Sequence, residues 1–337
     1  MKLIRSVFFL TICLLVVHIG TAQNVTDLQN SARTFMQKGD FANAILVLNN
    51  ATQLEPKNIQ VSKDLALAFY YQNNYTKALE IIKPLLDRDD ADDQCYQIAG
   101  NIYKQLDQEK ECDKLFRKGL KKFPQSGPLY NELGEYLFTQ HDEIGAINQW
   151  ESGIEIEPNF SKNYYNAAKY YNLKEDYIWS ILYGEIFANM EPANARTPEI
   201  KAIVLDNYKN FFIKIPILKD EKDKNKFVAA YIEILSKQSN VAKNGIDPES
   251  LTMLRTRFIL DWSDKYAYKF PFKLFDLQKQ LLSEGLFDAY NQWLFGAVQN
   301  LAVYQNYTLS HSSENIEFNK FQRSRIFKLT EGQYYRY

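Results

Sequence analysis

Apolar residues recur along most of this chain at intervals of three and four residues, which places them on one face of an α-helix. The stretch "EIGAINQWESGIEIEPN", residues 143–159, predicts one amphipathic helix that ends before Pro158. Proline ends a helix because it has no N–H to donate to the preceding turn. The pattern predicts an all-α protein built from short helices.

The same pattern returns every 34 residues, for example in residues 40–58 and 176–194. Its last column contains Pro56, Asp90, Pro124, Pro158 and Pro192. A column of small residues contains Ala32, Ala66, Gly100, Gly134 and Ala168. Twelve residues later a second small column contains Ala44, Ala78, Cys112, Ala146 and Ser180. Between the two small columns lie the large residues Phe35, Phe69, Tyr103, Leu137 and Tyr171.

The two small columns predict where the helices of each hairpin cross, because antiparallel helices approach closely only where facing side chains are small. A single hairpin leaves an apolar face exposed until a neighbour stacks on it, so such units form arrays. This pattern resembles the tetratricopeptide-repeat (TPR) family, whose first aromatic column is kept at Tyr96, Tyr130 and Tyr164 but not at Leu28 or Ser62. The resemblance implies a right-handed superhelical α-solenoid of helical hairpins, with units 25–58, 59–92, 93–126, 127–160 and 161–194.

The period fails after Asn194, although helical spacing continues. We expect a domain of five repeats over residues 23–194 and a helical C-terminal region over residues 195–337, which caps the open end of the array. The final segment, "RIFKLTEGQYYRY", is basic and aromatic. It is expected to dock on the protein, or else to contact a partner or be disordered.

The N-terminus has the composition of a secretory signal peptide. Lys2 and Arg5 precede an apolar run, which small residues end at Ala22. We expect residues 1–22 to be removed and the mature chain to be periplasmic or secreted, in a bacterium. An uncleaved anchor helix is the alternative. No later segment is apolar enough to span a bilayer, so the mature chain is expected to have no membrane span.

Composition narrows the possible partners. The formal net charge is −1, so the chain provides no positive electrostatic field that would attract nucleic acid. Its 23 tyrosines and 22 phenylalanines outnumber its 13 glycines, which favours packed helices. The three histidines, His18, His141 and His311, are not spaced to hold a metal. The acidic run Asp87–Asp93 lacks the central glycine and closing glutamate of a calcium loop, so it predicts a solvated junction. We expect no cofactor, no metal and no enzymatic activity.

The two cysteines of the mature chain are expected to remain thiols. Cys112 lies in the small column that faces Gly100, whereas Cys95 lies five residues before Gly100, nearer the start of the first helix. The resulting Cα separation of roughly 11–12 Å exceeds the ~7 Å that a disulfide can bridge.

The remaining candidate for function is a surface. In stacked hairpins of this family the first helices line a concave groove that holds a peptide. The first-helix residues that do not face the packing columns combine amides, aromatics and both charges, as protein-binding surfaces do. They are Arg33, Lys63, Tyr70, Gln97, Asn101, Asn131, Glu135, Phe138, Tyr165, Asn166 and Lys169.

These observations predict an exported, non-catalytic scaffold that binds a protein or peptide in its groove, in envelope protein assembly or secretion. The alternative is an enzyme or glycan-binding module in residues 195–337, with the repeats as a recruiting arm. In that case Trp262, Trp293 and nearby tyrosines would stack on sugars, although their helical spacing is also typical of a core.

Overall fold

The computed structural model describes residues 24–218, 225–243 and 245–336, and the regular secondary structure in these ranges is helical throughout. The expected signal peptide, residues 1–22, lies outside the described residues. Successive helices up to Met190 form hairpins: α1 (24–37) with α2 (Phe41–Leu54), α3 (Ile59–Tyr71) with α4 (Tyr75–Ile82), α5 (Asp93–Gln105) with α6 (Glu109–Lys122), α7 (Gly127–Thr139) with α8 (Glu143–Ile156), and α9 (Ser161–Leu173) with α10 (Tyr177–Met190). We call the odd-numbered members first helices and the even-numbered members second helices.

The region after Met190 is also helical, as predicted. It contains α11 (Thr197–Leu218), α12 (Lys226–Ser236), α13 (Ser239–Ala242), α14 (Pro248–Lys265), α15 (Lys273–Ser283), α16 (Phe287–Asn291), a π-helical turn (Gln292–Gly296), α17 (Ala297–Gln299), α18 (Leu301–Ser310) and α19 (Ser312–Arg323). Within the described ranges, no helix combines the length and hydropathy needed to cross a bilayer.

The turn inside each hairpin contains one residue with positive φ at the 34-residue period. These residues are Gly39, Asn73, Asp107, His141 and Glu175. The next residue usually begins the second helix, and in four hairpins its side chain accepts a hydrogen bond from the backbone N–H three positions later: Asp40, Asn74, Asp142 and Asp176. His141, considered above for chemistry, is therefore a turn residue in the left-handed conformation.

The proline column ends the second helices as predicted in four hairpins. There, α2, α6, α8 and α10 each end two residues before the proline. The second hairpin differs, because α4 ends at Ile82 and continues as a 3₁₀ turn, Lys83–Asp87, with Pro84 near its start. Pro84 has no N–H for an α-helical bond, so this second helix is short even though Asp90 replaces the usual proline.

The two small columns meet where the helices of a hairpin cross, as predicted. In the third hairpin the Cys112 Sγ lies 3.7 Å from the carbonyl oxygen of Gly100. In the fifth, the Ser180 hydroxyl donates to the carbonyl of Ala168 at 2.8 Å. Both contacts bring a side chain of the second helix against the backbone of the first, which is possible only where the first helix has no bulky side chain.

A further column completes the crossing, sixteen residues after the first small column. A Cβ atom placed on Gly100 would lie 2.2 Å from Cζ of Phe116, and one placed on Gly134 would lie 2.4 Å from Nε1 of Trp150. In the first two hairpins the first helix has alanine and the second has a smaller aliphatic residue; these fully buried pairs are Ala32 with Leu48 and Ala66 with Ile82. The volumes at the two positions therefore compensate each other in the first four hairpins. In the fifth, Ala168 is followed by Gly184, and Val204 of α11 packs there instead, 2.6 Å from a Cβ placed on Gly184.

The chain packs into two compact units, one ending at Pro124 and one beginning at Gln125. We call them the N-terminal and C-terminal units. The C-terminal unit contains the fourth and fifth hairpins together with every later helix. The predicted domain boundary after residue 194 stays a prediction.

Helix α10 is the centre of the C-terminal unit. Every residue from Tyr177 to Ala188 is buried, and α11 packs along this helix. Glu185, only 1% exposed, forms an ion pair with Arg255 of α14. Its Oε1 also accepts hydrogen bonds from Gln278 Nε2 and from the Tyr290 hydroxyl, each at 2.7 Å.

The aromatic residues after Asn194 form a core. Phe227 packs against Trp179 at 5.8 Å between ring centroids and against Trp262 at 5.3 Å. Trp262 is 1% exposed, so its ring is part of that core. Trp293 packs against Tyr290 and lies under the Lys201 ammonium group, 3.5 Å from its ring centroid.

Volume compensation at the crossing gives a testable result. Gly100→Ala is expected to lower the free energy of unfolding by about 1–3 kcal/mol, because the new methyl group would overlap Phe116. Phe116→Leu alone is expected to cost on the order of 1–2 kcal/mol through lost packing. The double variant reproduces the alanine–aliphatic pairing of the first two hairpins, so its loss should be smaller than the sum by about 1 kcal/mol or more in urea unfolding followed by circular dichroism. Additive losses would contradict the compensation.

Candidate functional site

The eleven residues predicted to line a groove all lie on first helices. Arg33 is on α1, and the others are on α3, α5, α7 and α9. We call this set the first-helix face. It is described separately for the N-terminal and C-terminal units.

Exposure divides the set into three groups. The exposed members are Arg33, Phe138 and Lys169. The half-buried members are Tyr70, Gln97, Asn101, Glu135 and Asn166. The buried members are Lys63, Asn131 and Tyr165. Three of the predicted surface residues are thus covered by neighbouring side chains.

In the N-terminal unit, cations of one first helix pair with carboxylates of the next hairpin. Arg33 lies 3.6 Å from the Asp64 carboxylate, which also accepts a hydrogen bond from Gln29 at 3.1 Å. The Lys63 ammonium group pairs in the same way with Asp92, at the start of α5. Sequence reasoning missed both carboxylates, although each follows its cation by about one repeat.

In the Lys63–Asp92 pair, a buried lysine contacts the carboxylate that caps the start of α5. Lys63 is 2% exposed, and Asp92 also caps α5 by accepting from the N–H of Cys95 at 3.2 Å. Burial is the largest single influence and acts to raise the pKa of Asp92. The hydrogen bonds from Lys63 and Cys95 and the charge of Lys63 together outweigh burial, so this pKa lies below its ordinary value.

In the C-terminal unit, the first-helix face extends onto α11. Asn166 Nδ2 donates to Glu135 Oε1 at 3.2 Å, which joins α9 to α7. Lys169 pairs with Glu199 of α11 at 2.7 Å, and the Tyr165 hydroxyl donates to the same carboxylate at 2.8 Å. The hydrogen bonds from Lys169 and Tyr165 lower the pKa of Glu199. Helix α11 therefore continues the row of polar contacts as a further first helix would.

Two members of α7 differ from this pairing pattern. Asn131 is 1% exposed, and its side-chain nitrogen and oxygen have no hydrogen-bond partner among the described residues. Phe138 is 38% exposed, and its ring lies 5.8 Å from that of Trp150. Phe138 is thus an apolar contact point among polar residues, held in place by the residue that fills the space above Gly134.

Three carboxylates of the acidic run Asp87–Asp93 are paired with cations of the protein. Lys118 donates to Asp87 at 2.8 Å, and Arg88 donates to Asp90 at 2.7 Å. Together with the Lys63–Asp92 pair, these contacts explain the run as a salt-bridged junction between hairpins. Across the described ranges, no three His, Cys, Asp or Glu side chains are grouped to hold a metal ion.

Both cysteines are buried thiols. Cys112 is fully buried at the helix crossing, where the repeat register places it. Burial raises the pKa of Cys95 to about 11, which keeps that thiol protonated at neutral pH.

The C-terminal segment docks on the C-terminal unit, which was one of the arrangements that the sequence allowed. Leu329 and Asn159 exchange two hydrogen bonds, at 2.9 and 3.3 Å. Tyr334 and Arg336 reach Glu151 on α8.

Comparison with known proteins agrees with this architecture. Residues 35–102 match the family model described as tetratricopeptide repeat, which confirms the predicted TPR fold for this part of the chain. Protein FlbA of Caulobacter vibrioides is 29% identical over 131 residues, a match that covers 39% of this chain and 22% of FlbA.

Solved structures also align with parts of the chain. TTC0263, a thermophilic TPR protein of Thermus thermophilus, is 12% identical, with coverage of 55% of this chain and 98% of that one and a TM-score of 0.46. MamA of Desulfovibrio magneticus is 13% identical, with coverage of 51% and 97% and a TM-score of 0.39.

The link between Lys63 and Asp92 predicts a pH-dependent contribution to stability. A carboxylate whose pKa is lowered on folding stabilises the fold above its ordinary pKa, and this contribution is lost as pH falls through the folded value. Lys63→Met keeps most of the apolar stem and removes the charge. It is expected to lower the free energy of unfolding at pH 7 by about 1 kcal/mol, given the partial exposure of Asp92.

Urea unfolding from neutral pH down to acid measures this effect. The difference between wild type and Lys63→Met should shrink as Asp92 becomes protonated. Lys110→Met, at an exposed position of α6, serves as the control and should show no such pH dependence. A difference that stays constant with pH would contradict the pairing.

Proposed function

We propose that this protein is an exported, non-catalytic scaffold that binds another protein through its first-helix face, in the assembly or secretion of envelope proteins. The proposal is supported by the TPR match, because this repeat fold is a protein-interaction fold. The observation that carries it is the row of contacts along the first helices of the C-terminal unit, in which residues of both charges lie beside the exposed ring of Phe138.

The chemistry of this face suits an extended polypeptide. In the C-terminal unit, Glu135 and Asn166 present a carboxylate and an amide that bond to each other, and the exposed Lys169 presents an ammonium group that is paired with Glu199. Groups of this kind bind backbone amides and charged side chains, while Phe138 offers an apolar contact. Such a mixture favours a protein ligand over a small-molecule cofactor.

Site-specific crosslinking in the full-length chain tests the proposal. A photoreactive amino acid at Phe138 is expected to capture one defined protein from the envelope of the source organism. The charge reversals Glu135→Lys and Lys169→Glu should each lower the crosslinking yield at least tenfold. Each reversal would repel the group of the bound segment that the original side chain attracts. These residues are not fully buried, so the unfolding midpoint should change little.

The matched control places the same photoreactive residue at Glu155, which is exposed on the second helix α8. It should capture little or none of that protein. Equal capture from Phe138 and Glu155, or capture that is insensitive to both charge reversals, would refute binding through the first-helix face.

The export part of the proposal has a separate test. Cell fractionation followed by N-terminal sequencing is expected to find the protein outside the cytoplasm with Gln23 as its first residue. A chain that starts at Met1 and fractionates with the membrane would indicate an uncleaved anchor. A full-length chain in the cytoplasm would refute export.

A further inference from the structure

The C-terminal tail, residues 325–336, follows α19 and has no regular helix or strand. It lies along the C-terminal unit. Two asparagine side chains hold its backbone. Asn159 accepts from the Leu329 N–H at 2.9 Å and donates to the Leu329 carbonyl at 3.3 Å. Asn225 donates to the carbonyls of Tyr335 and Arg336, at 2.7 and 3.0 Å. Contacts of this kind are made to the main chain, so they would hold any extended segment.

Specificity comes from the last aromatic residue described. The Tyr335 ring stacks on Phe227 with 4.8 Å between centroids and an interplanar angle of 9°. Its hydroxyl donates to the carbonyl of Pro271 at 2.6 Å. An aromatic residue is therefore required at this position, and one with a hydroxyl group is favoured.

Arg336 and Tyr334 contact a buried carboxylate. Glu151 is 2% exposed on α8, and its Oε2 accepts from the Tyr334 hydroxyl at 2.6 Å. Arg336 Nε lies 3.4 Å from the Oε1 of Glu151 and donates to the Tyr171 hydroxyl at 2.7 Å. The guanidinium group also lies over the rings of Tyr171 and Trp179.

The buried carboxylate of Glu151 is the reason that this surface is more stable when a cationic segment covers it. A buried carboxylate is unfavourable unless a cation and hydrogen-bond donors surround it. Burial raises the pKa of Glu151, while the hydrogen bonds from Tyr171 and Tyr334 and the charge of Arg336 act in the opposite direction. The tail supplies the positive charge and one of the donors.

The tail does not fill the surface completely. A cavity of about 380 Å³ lies beside Arg336, and its lining includes Ile144, Ile147, Tyr170 and Lys174. Between the two anchored stretches, residues 330–332 are exposed. A segment of another protein could make the same contacts and also place a side chain in this cavity.

We propose that this tail-docking surface, formed by Glu151, Asn159, Tyr171, Asn225 and Phe227, is a second protein-binding site that the tail covers until a partner replaces it. The partner is an extended segment of another protein with two consecutive aromatic residues followed by arginine. The surface is separate from the first-helix face, so this inference does not depend on the proposed function.

The tail competes with a partner because it is attached to the same chain. A tethered segment acts at an effective concentration in the millimolar range. Releasing the tail should therefore raise the apparent affinity of the protein for a separate peptide segment. The quantity to measure is the ratio of the two affinities, with the tail docked and with the tail released.

The probe is a fluorescent peptide with the sequence of residues 325–336, followed by fluorescence anisotropy. The tail is released in the full-length chain by the double substitution Tyr335→Ala and Arg336→Ala. The released chain is expected to bind the peptide at least tenfold more tightly than the wild type. Adding Glu151→Gln, which keeps the shape and removes the charge, should weaken binding to the released chain at least tenfold.

Asn159→Ala provides a second variant at an exposed position, where misfolding is not expected. In the released chain it should weaken peptide binding severalfold. Lys328→Ala is the matched tail control, since Lys328 is exposed, and it should leave wild-type affinity unchanged. Circular dichroism of every variant checks that the helices are intact.

Three results would overturn the proposal. The first is equal peptide affinity of the wild-type and released chains. The second is binding that is unaffected by both Glu151→Gln and Asn159→Ala. The third is a wild-type dimer in light scattering that disappears in the released chain, because the occupant would then be the tail of a second copy.

Discussion

The steric limit on how closely two helix backbones can cross governs the repeats of this protein. A side chain of the second helix meets the backbone of the first, as in the contact of Cys112 with Gly100. Only glycine or alanine in the first helix permits this approach, and in the first four hairpins the volume of the residue sixteen positions later matches that choice. The turn in each hairpin follows from the same requirement: one residue in the left-handed conformation reverses the chain within a few positions, and a capping side chain then starts the second helix. Within each unit, neighbouring hairpins thus present the same side of their first helices.

A second constraint in the C-terminal unit is the burial of two carboxylates on second helices, Glu151 on α8 and Glu185 on α10. Glu185 on α10 is paired with Arg255, which lies seventy positions later. Removing Arg255 alone would leave a buried charge without its counter-ion, which is strongly destabilising. The fifth hairpin therefore depends on α14, and a chain cut at the end of the repeats would expose the apolar surface of α10 as well as Glu185. The later helices serve as a cap in this physical sense.

The two proposed binding surfaces use different chemistry. On the first-helix face, polar groups are already paired between neighbouring helices, and a partner would bind by adding to an ordered row of contacts with Phe138 among them. At the tail-docking surface, a buried carboxylate and two asparagine side chains bind an extended segment through its charge and its backbone. The first arrangement suits a segment that crosses neighbouring hairpins of one unit, whereas the second, as proposed, favours an arginine that follows aromatic residues. One scaffold could hold two proteins at once by this means.

The sequence by itself determined the helices, the 34-residue hairpin and the crossing positions, because local periodicity and the small columns repeat in phase. It also placed the eleven candidate residues on first helices, although it did not show that Lys63, Asn131 and Tyr165 are buried. Their burial depends on neighbours one repeat or more away, and a single helical pattern contains no information about those neighbours. The Glu185–Arg255 pair was likewise missed, and the docking of the tail was left open. Only the tertiary structure decided these two features, because each joins residues far apart in the chain, and their proximity follows from packing and not from local sequence. The short α4 was also missed, although Pro84 is a local signal for it.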